Sequence, residues 1–237
     1  MPKLYIVSTP IGNLQDITLR AIDILKSVDF ILAEDTRVAF KLIKHLNISK
    51  PTISFHAHSS PKVLDKVLNL LKDGKNLALV TDAGTPGISD PGYWLNSYIV
   101  KWLNSQKTAQ PFNNLTIQLI PIPGPSALSA IISVSDIDLS EFAFLGFPPR
   151  KKGRQTFFRR IIHRLADEIP VILFESPNRI QKTLREAEAI CGDHYTNVGR
   201  ELTKIHEEVF RGRLSEAQKH FIGERQRGEF VIIIDTK

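Results

Sequence analysis

The chain has 237 residues, 42% of them hydrophobic and 24% charged, which suits one large or two ordinary α/β domains and leaves no composition that argues for disorder. Its single cysteine, Cys191, excludes an internal disulfide framework, and the lack of zinc-type Cys/His spacing adds to the case for a reducing compartment, the cytoplasm. A net charge of +6 draws the chain weakly toward polyanions, while the opening MPKLYIVSTPIGN has too short an apolar run for a signal peptide or a membrane span.

In chain order, short β-rich runs alternate with amphipathic stretches, the pattern of parallel strands covered by helices. Strands are expected at Leu4 to Ser8, Phe30 to Ala33, Thr52 to Phe55, Leu77 to Val80 and Thr116 to Ile120. Between them Asp16 to Ser27 carries Ile17, Ala21, Ile24 and Leu25 on one side, and Pro61 to Lys72 does the same with Val63, Leu64, Val67, Leu68 and Leu71. Lys107 to Asn114 reads as a polar surface loop. The prolines 121, 123 and 125 then interrupt the pattern, which restarts beyond them, so the domains are placed at 1–121 and 122–237. The second half predicts helices near Ser126 to Ser133, Thr156 to Ala166 and Asn178 to Ile190. Its strands are expected at Phe142 to Leu145, Val171 to Phe174, Asn197 to Arg200, Glu207 to Arg211 and Phe230 to Ile234. Their close spacing suggests hairpins and a mixed sheet.

Open α/β sheets bind ligands at the carboxyl ends of their strands, so the loops there are the first places to look. Ser8-Thr9-Pro10-Ile11-Gly12-Asn13 follows the first strand and is equally a plain turn capped by Asn13 or Asp16. No GxGxxG or GxxxxGK[ST] occurs, which disfavours a Rossmann dinucleotide site and a P-loop. The twelve residues from Thr81 to Gly92 hold three glycines and two prolines, a stiff bent loop whose backbone can approach a ligand. The alternative is a turn with Ser89 or Asp90 capping the next helix. Pro121 to Ala127 is rich in small residues and doubles as a rigid hinge. Two polar groups, Glu34-Asp35-Thr36-Arg37 and Arg200-Glu201-Leu202-Thr203-Lys204, stand at strand ends where they can serve as acid, base and cation or as surface pairs and caps. His56 and His58 have no third partner in the sequence, so no metal is expected. Arg150, Lys151, Lys152, Arg154, Arg159, Arg160 and Arg164 concentrate positive charge after Pro148 and Pro149.

Taken in order, VSTPIGNLQDITLRA, AEDTR, LVTDAGTPGISDPG, IPGPSA, FLGFPPRKKGR, FESPNR, GRELTKIHEE and GEF resemble the tetrapyrrole methylase family of S-adenosylmethionine-dependent enzymes, and most of all its branch that acts on small-subunit ribosomal RNA. The resemblance runs from about Leu4 to Phe230. It implies a two-domain α/β fold, a homodimer, and S-adenosylmethionine held in a cleft between the domains. On these motifs the cofactor would be lined by Pro10, Ile11 and Gly12, by Asp82, Ala83, Gly84, Thr85, Pro86, Ile88 and Ser89, and by Ser126 and Ala127, with Phe174, Glu175 and Leu202 closing the cleft. The branch implies methylation of a cytidine ribose 2'-oxygen in the decoding region; the assembled subunit rather than naked RNA is the expected substrate, because base and backbone geometry there differ from free strands. Glu34, Asp35, Arg37 and Glu201 are then the catalytic candidates, Glu34 or Asp35 as the base, and Arg150, Lys151, Lys152 and Arg154 the grip on RNA backbone. Departures from the branch are Asn178 in place of a histidine, no hydroxyl residue soon after AEDTR, and an end soon after GEF where many members continue. The competing readings are a methyltransferase for a tetrapyrrole carbon and a non-enzymatic RNA-binding protein of ribosome assembly.

Overall fold

The computed structural model describes residues 1–56, 59–89, 95, 97–101 and 117–237. The chain divides into two compact units, Met1–Ser126 and Ala127–Lys237. The division falls five residues beyond the expected one because the fifth strand runs through Pro121. That strand lies at a sheet edge, where a residue without an N–H removes no ladder bond.

The first unit is a parallel sheet of β1 (Lys3–Val7), β2 (Phe30–Ala33), β3 (Thr52–Ser54), β4 (Leu77–Val80) and β5 (Gln118–Ile122), in the order β3-β2-β4-β1-β5. Its helices are α1 (Leu19–Ser27), α2 (Thr36–His45) and α3 (Pro61–Lys72), with further helical residues at 97–101. The connections from β1 to β2 and from β2 to β3 run one way along the sheet, and those from β3 to β4 and from β4 to β5 run the other. Right-handed crossovers therefore put them on opposite faces. The core has that form. Ala21, Leu25, Ala39 and Ile43 pack with Val7, Ile31, Ala33, Ala78 and Val80 on one face. Val67, Leu68, Leu71, Leu95 and Ile99 pack with Leu4, Leu32, Leu77 and Leu79 on the other. Neighbouring strands β1 and β4 thus send their chains to opposite faces, which opens a crevice at their carboxyl ends.

Local signals fix the helix starts. The Thr18 hydroxyl accepts from Ala21 N at 3.1 Å and Asp35 accepts from Arg37 N at 2.8 Å, N-caps worth about 1 kcal/mol each. Asn13 caps a short 3-10 turn, Leu14–Asp16, in the same way, so the predicted helix from Asp16 is two elements.

The second unit holds a mixed sheet in the order β6-β7-β10-β8-β9. Its strands are β6 (Ala143–Gly146), β7 (Val171–Glu175), β8 (Tyr195–Arg200), β9 (Glu208–Arg213) and β10 (Phe230–Ile234). Only β6 and β7 are parallel neighbours; the remaining pairs are antiparallel. Helices α5 (Arg154–Ala166), α6 (Ile180–Cys191) and α7 (Leu214–His220) bury Phe157, Phe158, Ile161, Leu184, Leu214 and Phe221 against Val171, Leu173, Phe230, Ile232 and Ile234. Helix α4 (Ala127–Ser133) places Ile131 over Gly199, where an added Cβ would lie 2.8 Å from Ile131 Cδ1. No helix among the described residues is long and apolar enough to cross a membrane.

Candidate active site

The crevice at the carboxyl ends of β1 and β4 is where the predicted loops of the first unit meet. Thr9 and Gly84 form an isolated antiparallel bridge, Thr9 N donating to Gly84 O at 2.9 Å and Gly84 N to Thr9 O at 3.0 Å. Thr85 Oγ1 donates to Pro125 O at 3.1 Å, so its 2.9 Å contact with Ser8 Oγ has the serine as donor. Three loops, from β1, β4 and β5, are therefore stitched by their own hydroxyls and amides. Gly124 permits this closeness, since a Cβ there would stand 3.0 Å from that of Ser8. The fourth strand end joins through Asp35 N, which donates to Asp82 Oδ1 at 3.0 Å.

Within this cluster Gly84 and Gly87 hold φ values of +80° and +100°, conformations other residues adopt only under strain. Nothing lies within 4 Å of where a Gly87 Cβ would be. Pro10 and Ile11 are half-buried, Gly12 and Asp82 exposed, and Ser89 stands at φ +61°.

Of the catalytic candidates, Asp35 and Arg37 form a forked pair, with Arg37 Nη2 2.6 Å from Asp35 Oδ2 and Nε 3.0 Å from Oδ1. The Arg37 guanidinium, reinforced by the Arg37 backbone amide, holds the Asp35 carboxyl down at about 2, and Asp35 in turn raises the guanidinium. Such a carboxylate is a weak proton acceptor at neutral pH. Glu34 stands beside it, half-buried at the end of β2.

Glu201 lies in the second unit, in the connection between β8 and β9, at φ +49° with Thr203 at φ +68°. It accepts from Lys204 Nζ at 2.8 Å and from Glu229 N at 2.9 Å. Burial pushes its carboxyl up, but the Lys204 ammonium and the Glu229 amide outweigh that and hold it below the usual value. Its side chain fills the space under Gly228, where a Cβ would fall 2.4 Å from Glu201 Cγ. That accounts for the glycine of the GEF motif.

Two of the residues expected to face ligands turn inward instead. The Glu175 side chain has no exposure and accepts from Ser176 N at 2.7 Å, Arg179 Nε at 2.7 Å, Arg179 Nη2 at 3.0 Å and Thr183 Oγ1 at 2.5 Å. A carboxylate so enclosed is committed to the second unit's own donors. Arg154, expected to grip RNA, is 7% exposed. Its guanidinium donates to Thr183 Oγ1 at 2.7 Å and Pro149 O at 3.1 Å and pairs with Glu186. Burying a charged head demands such partners, and having them leaves none of it for solvent. Arg150, Lys151 and Lys152 are exposed as expected. Leu202 is buried, its methyls 3.1 Å from a Cβ built on Gly199, and Phe174 packs edge-on to Phe144 and Phe147 with ring centres 4.9 and 5.6 Å away. Ser126 and Ala127 are half-buried at the change from one unit to the next. His58 and residues 107–114 lie outside the described residues. Among the described residues no group of three or more His, Cys, Asp or Glu could hold a metal ion.

The sequence model of the tetrapyrrole (corrin/porphyrin) methylases matches residues 3–218. The chain belongs to this family. Among relatives of this tetrapyrrole methylase, the ribosomal RNA small subunit methyltransferase I of Thermotoga maritima is 44% identical over 238 residues, covering the whole of both chains. The protein of that name from Bacillus subtilis is 40% identical over 235 residues, covering 99% of this chain and 75% of its own. Among solved structures, a diphthine synthase superposes with a TM-score of 0.69 at 15% identity, over 98% of this chain and 90% of that one. The methyltransferase CobJ does so with 0.67 at 13% identity, over 99% and 95%. At such identities the two share the fold of this tetrapyrrole methylase.

Two residues that the sequence places in or beside candidate loops carry a feature it does not show. Thr81 Oγ1 and Asp16 Oδ2 are buried with no hydrogen-bond partner among the described residues. Thr81 follows β4 directly, is 6% exposed, and its carbonyl accepts from Thr9 Oγ1 at 3.3 Å. A buried hydroxyl left unsatisfied costs about 1–3 kcal/mol, so its presence beside the glycine loops marks a place for a polar ligand. The sequence puts Thr81 at the head of the glycine-rich loop but carries no signal that its hydroxyl is left without a partner.

Proposed function

We propose that the chain transfers the methyl group of S-adenosylmethionine to small-subunit ribosomal RNA, at the ribose 2'-oxygen of a cytidine in the decoding region. The observation that carries this reading is full-length identity of 44% to a relative whose name states the substrate, in a chain whose four loop ends converge at the crevice such chemistry needs. A homodimer acting in the cytoplasm on the assembled subunit completes the proposal.

The residues of the first unit suit such a donor. The unsatisfied Thr81 hydroxyl and the exposed Asp82 offer a hydroxyl and a carboxylate to a molecule bearing ribose hydroxyls and an amine. When bound, S-adenosylmethionine supplies an electrophilic methyl on a sulfonium. Pro10 to Gly12 and Asp82 to Ser89 would hold it, with Ser126, Ala127, Phe174 and Leu202 as further contacts. A ribose hydroxyl is a poor nucleophile, so the protein must align it and accept its proton as the bond forms. Glu34 takes the proton in this reading. Asp35, held ionised by Arg37, orients the guanidinium toward the RNA. Glu201 holds the turn at Gly228.

The test is transfer of radiolabelled methyl from S-adenosylmethionine to small subunits from cells lacking this protein, followed by nucleoside analysis. Labelled 2'-O-methylcytidine is expected. Label on another nucleoside, or none with cofactor binding intact, overturns the assignment.

A further inference from the structure

We propose that a pocket at the amino end of α5 is a seat for one backbone phosphate of the RNA substrate. The inference rests on the RNA reading above and deepens it by naming where and how the strand is held. The pocket has a volume of ≈ 390 Å³, and Arg150, Lys151, Arg154 and Lys182 line it with Glu186 as the one carboxylate among the described residues. Arg154 and Glu186 neutralise each other, and Arg154 is committed to Thr183 and Pro149 as well. Arg150, Lys151 and Lys182 remain to face a ligand, Lys182 keeping only a 3.8 Å contact with Glu186. A cavity with this surplus of one sign is a binding surface for an anion.

The helix beneath it points to the same ligand. Gly153 stands at the cap position with φ +85° and no side chain to accept from the first turn. Arg154 N is satisfied by Lys151 O at 3.3 Å, but the N–H groups of Gln155 and Thr156, at the second and third helical positions, are those a capping oxygen would take. Both residues line the pocket. Cations crowded at the positive end of a helix with no acidic residue in its first turn repel the dipole and one another. An anion seated among them reverses the sign of all these terms together, and tetrahedral phosphate oxygens can accept from amides and cations at once. Arg159 and Arg160, both exposed, lie one helical turn, about 5.4 Å, beyond Gln155 and Thr156 and extend the positive strip along a strand. Arg154 is here a positioning residue: it ties the Pro149 carbonyl and α6 to the pocket floor while its neighbours touch the RNA.

Gln155→Glu tests this, because a carboxylate at the second helical position favours the helix and opposes an incoming phosphate. Binding of the fluorescently labelled protein to small ribosomal subunits from cells lacking it is measured by anisotropy at several salt concentrations, with S-adenosylmethionine affinity and thermal midpoint recorded on the same protein samples. Expected are an affinity loss of about tenfold at low salt, a slope of log K against log salt reduced by about one, an unchanged cofactor affinity and an equal or higher midpoint. RNA affinity and slope equal to those of the parent overturn the proposal. Inorganic phosphate is then titrated into the parent while the Gln155 and Thr156 amide resonances are followed. A parent that binds no small subunits fails the functional reading on its own; saturable shifts in that case replace the RNA seat with one for free phosphate, and flat resonances remove the seat altogether.

Discussion

Glu175→Ala separates a structural carboxylate from a ligand-binding one. The substitution strips acceptors from Ser176 N, the Arg179 guanidinium and the Thr183 hydroxyl at once, inside a unit where the Glu175 side chain has no exposure. Removing one partner of a buried ion pair costs about 3–5 kcal/mol. With a total stability of about 5–15 kcal/mol, that is a large share of what holds such a domain folded. At a urea dependence of about 2 kcal/mol per molar, the midpoint of 127–237 should fall by about 1.5–2.5 M. Glu175→Gln keeps the shape and one carbonyl acceptor, so about 1–3 kcal/mol is lost, with a proportionately smaller shift. Urea unfolding followed by amide exchange in β7 and α6 reads the second unit directly. An unchanged midpoint with weakened S-adenosylmethionine binding would refute the enclosed network and restore the direct contact that the motif FESPNR implied.

Asp35 governs acid behaviour in the first unit. Its carboxyl is lowered from 3.8 to about 2 in the folded chain, so the stability it contributes is fully present above 3.8 and is lost as pH falls through about 2. Asp35→Ala should flatten the change in thermal midpoint over that window, whereas a parent-like acid slope in the variant refutes the pairing. Gly228→Ala combines φ +104° with a Cβ 2.4 Å from Glu201 Cγ and should cost about 2–3 kcal/mol in chemical denaturation; a neutral result would mean that the turn relaxes freely. Gly87→Ala adds a methyl group that meets no neighbour within 4 Å but strains the backbone at φ +100°. Calorimetry should find S-adenosylmethionine affinity down about tenfold alongside the fall in midpoint that about 1–3 kcal/mol of strain brings, and equal affinity would remove Gly87 from the cofactor loop.

Elements with a clean apolar period were legible. Pro61 to Lys72 is a helix over its full predicted span, and the buried strand at Leu77 to Val80 is bounded as read. Helix α2 was not visible because Val38 and Phe40, 37% and 60% exposed, sit among Ala39, Leu42 and Ile43 and blur the stripe. Helix α7 was missed for want of length: seven residues burying only Leu214 and Ala217 give no repeat to read. The fifth strand was placed too early because proline was taken as its end, a rule that fails at an edge where no ladder partner waits for its missing N–H.

The geometry of the candidate site was legible where it resides in the backbone and obscure where it resides in charge. A glycine at positive φ announces itself by its identity, so the loop after β4 could be picked out and its partners guessed from strand ends alone. A charged residue does not declare whether it faces water. Lys151 and Arg154 stand three positions apart in one basic run, yet the first is exposed and the second is 7% exposed, paired with Glu186 and donating to Thr183 and Pro149. Helical geometry makes the difference: Arg154 opens α5 on the side that carries Phe157, Phe158 and Ile161 inward, so its guanidinium is drawn into the interior and must be matched there. The same geometry turns Gln155 and Thr156 outward with unsatisfied amides. A run that reads as uniform positive charge therefore divides into one internal tie and a surface equipped to hold an anion, and the neutral residues Gln155 and Thr156 carry as much of that function as the lysines beside them.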